Sequence, residues 1–263
     1  MKNFKFAMPF LLIVLVLTGC SEPSEEVNYS VDEIGSIAYN VTKIENLVYI
    51  PEADKYAPYV VLTNDYNGNT LLMRKHTLGG DLRRQIHNGM YERSGAYYRD
   101  SQVDKFLNGE FYDIFSESVK NIILTSEIEI SSKKSFRVHG REIEKYNTKV
   151  FLLSINELYY VEGFGRICPE GEPLEYFSPE NAQNLIAPDE EGWGNCAYWT
   201  RSADTGYWNQ VFAVDRVGRC GSMNSWWYNG VRPSFCLDGK TKIRFQSDIV
   251  DGKNVYVIDF QGE

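Results

Sequence analysis

The sequence predicts an α+β fold: a mixed, loop-rich domain in which short helices lie between an N-terminal β-hairpin and C-terminal strands. Three observations favour this class. Two β-rich runs flank an Asn-Gly pair, serines precede two short amphipathic segments, and brief apolar runs separated by glycine-containing turns fill the last third of the chain. Such segregation of strands and helices is typical of α+β domains.

Turn and capping residues predict the first elements. Two apolar, β-rich runs over residues 59–73 surround Asn67-Gly68, which is a strong hairpin signal. Ser101 and Ser116 each precede apolar residues at helical spacing and are predicted to cap short helices. Residues 124–130 then alternate apolar and polar side chains, which predicts a half-buried strand.

The middle of the chain is less regular. The charged composition of residues 131–149 predicts an exposed loop, whereas the apolar residues 150–153 predict a strand. Residues 154–157, Ser-Ile-Asn-Glu, match a capping box and predict a further helix. Pro, Gly and acidic residues dominate 163–195, which indicates a long surface loop.

The last third of the chain predicts several short strands. They are expected near Tyr198, over residues 210–214 and over residues 231–237. Two further runs, 241–246 and 255–260, are joined through Asp-Gly and predict a terminal hairpin. The predicted strands therefore lie at both ends of the domain.

The N-terminus has the layout of an export signal. Lys2 and Lys5 precede an almost wholly apolar run over residues 7–17. This run is shorter than the roughly 20 residues that a membrane-spanning helix needs. The four residues that end at Cys20, Leu-Thr-Gly-Cys, resemble the lipobox of bacterial lipoproteins. The resemblance implies a signal peptide over 1–19, cleaved before Cys20, and a diacylglycerol on the cysteine sulfur.

The lipobox also implies a location. Two acyl chains give durable anchoring, so the protein is expected to be lipid-anchored to the cell membrane or outer membrane through Cys20, facing outside the cytoplasm. Residues 20–30 are polar and acidic, as in a flexible tether. The alternatives are an ordinary signal peptide with a chance cysteine, or an uncleaved hydrophobic core segment.

Charge restricts the class of partner. The formal net charge is −9, and loss of Lys2 and Lys5 with the signal makes it more negative. Because phosphate backbones and anionic membrane surfaces attract basic proteins, this balance argues against both as partners. Nucleic-acid binding is not expected.

Four further cysteines, Cys168, Cys196, Cys220 and Cys236, follow the lipidation candidate. An even number in an exported protein permits disulfides, although the sequence does not choose the pairing. Cys236 lies in an apolar run, where a buried free thiol is equally consistent. Zinc is a weaker hypothesis because no Cys-x-x-Cys occurs and the histidines lie far upstream. No metal or cofactor is predicted.

Three ordered signatures resemble a bacterial family called domain of unknown function 6273. They lie at residues 98–123, at 150–158, and at 198–202 followed by 230–233. This chain has Tyr-Trp-Thr in the third signature, where the family usually shows Trp-Trp-Leu. The resemblance implies a family domain over 58–238, an N-terminal extension over 31–57 and a C-terminal β-hairpin extension over 239–263.

The closing pattern, Trp-x-Arg-Ser followed by Gly-Val-Arg-Pro, is also similar to the last strands of C-type-lectin-like folds. Formylglycine-generating enzymes share that architecture. The resemblance implies a compact domain whose final strands carry a binding face. It does not extend to activity, because Cys220 and Cys236 depart from the closely spaced copper-binding pair of those enzymes, and the calcium-site motifs of true lectins are missing.

Aromatic residues concentrate in one segment. All five tryptophans lie between residues 193 and 227. Rings and amides bind sugars and peptides, but they also fill the cores of loop-rich domains, and Trp199 is assigned to the core. The candidate ligand-binding residues are Tyr207, Trp208, Asn209, Arg219, Asn224, Trp226, Trp227 and Tyr228.

Two arginines of the family-like signatures, Arg201 and Arg232, are assigned a structural role. Each is expected to form a buried ion pair, with Asp204 and Asp215 as candidate partners, and so to fix the neighbouring loops.

These observations predict a non-catalytic, surface-displayed binding module for a glycan or protein ligand. The common hydrolase, metalloprotease, P-loop and EF-hand motifs do not occur in the sequence. Two alternatives from other classes are an enzyme related to the formylglycine-generating oxidases, with reactive cysteine and copper, and a self-associating structural protein of the cell envelope.

Overall fold

The computed structural model describes residues 31–40, 46–78, 95–136, 138–160, 165–250 and 252–260. Strands take up 41% of the structure and helices 17%. The strands are β1 Val31–Glu33, β2 Leu47–Glu52, β3 Lys55–Tyr66, β4 Asn69–Arg74, β5 Ser126–Ser131, β6 Ile143–Thr148, β7 Tyr198–Ala203, β8 Gln210–Val214, β9 Cys220–Asn224, β10 Ser234–Leu237, β11 Lys242–Val250 and β12 Lys253–Ile258.

The largest sheet has seven strands in the order β1-β11-β12-β2-β3-β4-β10. All neighbours pair antiparallel except β12 and β2, which are parallel. Strands from both ends of the described chain therefore lie side by side in one sheet. The predicted hairpin around Asn67 and the predicted terminal hairpin are confirmed as β3–β4 and β11–β12.

Two smaller sheets lie beside the large one. β5 pairs with β6, and β7, β8 and β9 form a three-stranded antiparallel sheet. The predicted strands over 124–130 and 210–214 are confirmed as β5 and β8. Single bridges from Leu124 to Cys236 and from Phe151 to Ser234 connect the intervening segments to β10.

The helices are short. Helix α1 spans Gln102–Phe106, a π-helical turn follows over Leu107–Phe111, and helix α2 spans Glu117–Ile122. The capping predictions are confirmed, because the Ser101 hydroxyl accepts the Asp104 N–H and the Ser116 hydroxyl accepts that of Val119. Within the described residues, no helix is long and apolar enough to cross a membrane.

The predicted α+β class is wrong, since the protein is mostly β with little helix. One reason is the segment 131–149, which was expected to be a loop and contains β6. Its charged side chains lie on an exposed edge strand opposite charges of β5, and Lys145 forms a 2.6 Å ion pair with Glu127. Polar composition there reflects cross-strand charge pairing, not irregular structure.

The helix predicted from residues 154–157 is also absent, although both capping-box hydrogen bonds form. The Ser154 N–H donates to Glu157 Oε2 (2.8 Å), and the Glu157 N–H donates to Ser154 Oγ (3.0 Å). The chain then turns, with Tyr159 in the left-handed region (φ 64°), which ends any helix. The strand predicted over 150–153 reduces to the single Phe151 bridge.

The long loop predicted over 163–195 contains two 3₁₀ helices, Glu175–Phe177 and Pro179–Leu185. The second helix lies beside the outer face of the large sheet and forms one wall of a cleft. On the inner face, Phe115 packs edge-on against Phe235 of β10, with ring centroids 5.8 Å apart. Trp199 is 1% exposed, so its assignment to the core is confirmed.

Candidate functional site

A cleft of about 810 Å³ opens on the outer face of the large sheet. Strands β2, β3, β11 and β12 supply one side, and the segment around the second 3₁₀ helix supplies the other. Its lining residues are Tyr39, Asn40, Asn46, Leu47, Tyr49, Val60, Lys75, Tyr176, Asn181, Gln183, Asn184, Phe245, Asn254, Val255 and Tyr256.

Three aromatic residues of the large sheet line this cleft. In β2, Val48 and Ile50 are buried, so Tyr49 between them points to the opposite, outer face. Phe245 of β11 and Tyr256 of β12 are direct cross-strand partners, with ring centroids 5.2 Å apart in an edge-to-face arrangement. The β12–β2 register pairs Tyr256 with the buried Val48 and Val257 with Tyr49, so Phe245 and Tyr256 point to the face opposite to that of Tyr49. All three residues line the cleft, which therefore takes its rings from both faces of the sheet.

The opposite wall of the cleft is held by amide hydrogen bonds. The rings of Tyr39 and Tyr176 meet edge to face with centroids 5.1 Å apart. Asn181 Nδ2 donates to the Tyr39 hydroxyl (2.8 Å), and Asn184 Nδ2 donates to the Tyr176 carbonyl (2.8 Å). Side chains fixed in this way lose little further freedom on binding a ligand, which favours affinity.

The cleft is almost free of charge. Six lining residues carry amide side chains, and Lys75 is the only charged residue among those that line it. Aromatic faces combined with neutral hydrogen-bonding groups suit a ligand rich in hydroxyl groups and ring C–H surfaces.

A second cavity, of about 530 Å³, lies on the other side of Tyr39 and is acidic. Its carboxylates are partly engaged within the protein, because Glu127 pairs with Lys145 and Glu129 accepts the Gly171 N–H (2.9 Å). In the part of the chain that the structure describes, no group of three or more Cys, His, Asp or Glu residues is arranged to hold a metal ion.

The structure gathers most of the sequence-predicted binding residues at one end of the β8–β9 hairpin. The Ser225 N–H donates to the Asn209 carbonyl, and the Trp227 N–H donates to the Asn224 carbonyl. Tyr207, Trp227 and Tyr228 are 47%, 52% and 65% exposed. Trp208, Asn209, Asn224 and Trp226 are half-buried.

Arg219 does not join this group. The hairpin pairs Gln210 with Asn224 at one end and Val214 with Cys220 at the other, and Arg219 lies in the turn beyond the second end. Trp193, 83% exposed, lies on a separate loop after the bridge that Pro188 forms.

Arg201 is fully buried and forms the expected ion pair, but with a different partner. Its guanidinium binds both carboxylate oxygens of Glu157 at 2.7 and 2.8 Å. The predicted partner Asp204 instead lies 3.3 Å from Arg166, and Asp215 accepts backbone N–H groups of its own turn. Arg201 pairs with Glu157 because folding brings this capping-box carboxylate close in space, although it is 44 positions away in sequence.

Arg232 is buried without the expected carboxylate partner among the described residues. It donates to the carbonyls of Arg74 and Lys75 and to the Tyr198 hydroxyl, at 3.2–3.3 Å. Its guanidinium also lies over the Tyr198 ring, 5.0 Å from the centroid. The prediction of an ion pair is therefore wrong for Arg232, whereas the structural contacts to flanking segments are present.

The four cysteines of the folded region are free thiols. Burial raises the pKa of Cys220 and of Cys236 to about 12 and also raises that of Cys168. Cys220 and Cys236 therefore stay protonated near neutral pH. The lipidation candidate Cys20 lies outside the described residues.

Sequence reasoning missed the cleft because its rings come from distant segments. Tyr49, Phe245 and Tyr256 are each the single aromatic residue of their strand, so no local pattern marks the cleft. None of these lies in the tryptophan-rich segment that dominates the composition.

A comparison with protein families matches residues 67–239 to Domain of unknown function (DUF6273). The chain belongs to this family. No curated protein and no solved structure matches it. The family assignment confirms the resemblance of the three signatures but brings no activity, and the expected C-type-lectin-like architecture finds no support among solved structures.

Proposed function

We propose that this protein is a membrane-anchored binding module that captures a glycan outside the cytoplasm. The observation that carries the proposal is the cleft on the outer face of the large sheet, where five aromatic side chains and six amides line a space of about 810 Å³. Sugars bind proteins by stacking their C–H faces on rings while amides fix their hydroxyl groups. A volume of several hundred Å³ accommodates a short oligosaccharide.

The anchor half of the proposal rests on the lipobox-like residues that end at Cys20. Cys20→Ser is expected to abolish incorporation of an alkyne-labelled fatty acid in the native host and to release the protein from the membrane fraction. Labelling that persists in the variant would contradict lipidation at this cysteine. Cys220→Ser, at a half-buried thiol, is the matched control and is expected to keep full labelling.

The cleft is tested by glycan-array binding of the detergent-solubilised full-length protein. Tyr49→Ala combined with Phe245→Ala removes two aromatic side chains that line the cleft and is expected to weaken binding by about tenfold or more, since each stacked ring contributes on the order of 1 kcal/mol. Affinity is then measured by calorimetry on the best array ligand.

The matched control carries Trp227→Ala and Tyr228→Ala, which removes two exposed rings from the β8–β9 end. This control is expected to bind the glycan as the wild type does. Loss of binding in the control, with full binding in the cleft variant, would place the glycan site on the tryptophan-rich segment instead.

The exposed rings of the β8–β9 end support a second candidate function, contact with a protein partner. Tyr207, Trp227 and Tyr228 expose large aromatic surfaces at the same end of the hairpin, and such residues are enriched in protein interfaces. A peptide array probed with the same two variants tests it, because only the Trp227 and Tyr228 variant is expected to lose binding.

The enzyme alternative gains no such support. A thiol that attacks substrate or binds copper must lose its proton, and burial holds the pKa of Cys220 and of Cys236 near 12.

A further inference from the structure

One end of the glycan cleft carries positive charge that no carboxylate of the described residues balances. Lys75 follows β4 directly, and it lies on the same face as Met73, whose cross-strand partner is the cleft residue Val60. The side chain is half-buried. It is thus held at the cleft wall rather than extended freely into solvent.

Lys75 differs from many other lysines of the protein. Lys55, Lys120, Lys134, Lys145 and Lys242 each form an ion pair with a glutamate at 2.6–3.2 Å. No carboxylate of the described residues forms an ion pair with Lys75. The sequence has 36 acidic and 27 basic residues, so carboxylates are abundant, yet none of those described pairs with this half-buried lysine of the cleft.

The buried Arg232 adds to this charge from behind the wall. Its guanidinium donates only to neutral acceptors among the described residues, and one of these is the Lys75 carbonyl (3.2 Å). Neighbouring Arg74, by contrast, is neutralised by Glu52 (2.9 Å) and Glu190 (2.7 Å).

The charge of Arg232 acts on a tyrosine that lines the cleft. Burial raises the pKa of the Tyr176 hydroxyl, and Arg232 opposes that rise. Tyr176 lines the cleft, so Arg232 acts on at least one of the side chains that border the ligand space.

We infer that the cleft takes a glycan bearing a carboxylate, and that the carboxylate binds Lys75 Nζ. This inference rests on the proposed function, because it assigns a chemical class to the ligand of the same cleft. A charged hydrogen bond in a partly desolvated site is stronger than a neutral one, and the nearby uncompensated Arg232 strengthens the attraction. The rings and amides hold the sugar framework, and the lysine selects its acidic substituent.

The test compares matched pairs of ligands by calorimetry on the full-length protein in detergent. The first pair is tetragalacturonate and its methyl ester, in which the carboxylate is part of the sugar ring system. The second pair is the N-acetylglucosamine–N-acetylmuramic acid disaccharide and chitobiose, where a lactyl ether carries the carboxylate. In at least one pair the acidic member is expected to bind about tenfold tighter or more than the neutral member. The pair that shows this preference tells whether the carboxylate belongs to a uronic acid ring or to a lactyl ether.

The role of Lys75 is tested with Lys75→Met, which is expected to remove the preference, so that the acidic member binds no tighter than the neutral one. Lys75→Arg keeps the charge and is expected to retain most of the preference. Lys240→Met is the matched control, because it removes one exposed lysine outside the cleft and changes the net charge equally.

Two results would overturn the inference in different ways. Equal binding of acidic and neutral members, or a preference that survives in Lys75→Met, contradicts the assignment to Lys75 and leaves a neutral glycan site in place. Failure of every ligand here and on the array would contradict the proposed function itself.

Discussion

At the scale of single residues, Glu170 is a carboxyl group buried between two sheets. The Ser131 hydroxyl of β5 and the Ser202 hydroxyl of β7 each donate to one of its oxygens. Burial raises the pKa of this carboxyl from 4.5 to about 7, and the nearby Arg201 and the two hydroxyls only partly oppose the rise. Below about pH 7, the carboxyl group of Glu170 is therefore mostly protonated in the folded protein.

This raised pKa predicts a pH-dependent effect of Glu170→Gln. In the wild type, the stabilisation from the protonated group is complete below pH 4.5 and is lost as the pH rises through about 7. The glutamine stays neutral throughout. From pH 4.5 to pH 8, the free energy of unfolding of the variant is therefore expected to rise relative to wild type by about 3 kcal/mol.

Urea unfolding at several pH values measures this difference. Glu172→Gln, at an exposed carboxylate two positions further along, is the matched control for loss of one acidic group. The same effect of Glu170→Gln at pH 4.5 and pH 8 would rule out a buried, proton-binding Glu170.

The sequence predicted residue roles where the role depends on local context. Trp199 was assigned to the core from its strand-like surroundings, and it is buried. Arg201 was recognised as a buried structural cation, but its partner Glu157 lies 44 positions away. Side chains that meet only through folding leave no mark at either position alone, which also explains why the rings of the cleft were missed.

At the scale of elements, the β3–β4 hairpin depends on its two-residue turn. Asn67 and Gly68 both have positive φ, 54° and 80°, as this tight connection between twisted strands requires. Gly68→Ala would force a Cβ into the left-handed region and is expected to lower the free energy of unfolding by about 1 kcal/mol. Urea denaturation measures the change.

Gly109 is the matched control for this substitution. It lies in the π-helical turn, and a Cβ there would meet no atom within 4 Å, as is also true at Gly68. Because its φ is not positive, Gly109→Ala is expected to be neutral or stabilising by up to about 1 kcal/mol. Equal destabilisation by the two variants would show that backbone conformation is not the cause.

The caps and hairpins could be predicted from sequence because their signals are local. Ser101, Ser116 and the Asn-Gly turn act within a few residues of their own positions. Strand β6 could not be predicted in this way, since its charged residues form a strand only by pairing with β5. The capping box at Ser154 was misleading, because its two hydrogen bonds form without a helix. Wherever pairing with a distant segment decides the element, composition alone is misleading.

At the scale of the whole molecule, the large sheet joins the two flanks of the family domain. β2 and β12 pair in parallel, so the segments before and after the family signatures meet at the floor of the cleft. The family match over 67–239 includes Lys75 and Tyr176 but leaves out Tyr39, Tyr49, Phe245 and Tyr256. The proposed glycan site thus depends on strands that flank the matched region.

A crystal structure of the protein with the best array glycan would locate the bound sugar directly. We expect sugar density in the cleft, against the side chains of Tyr49, Phe245 and Tyr256 and beside the wall formed by Tyr39 and Tyr176. Sugar density over Trp227 and Tyr228, with the cleft empty at saturating ligand, would contradict it.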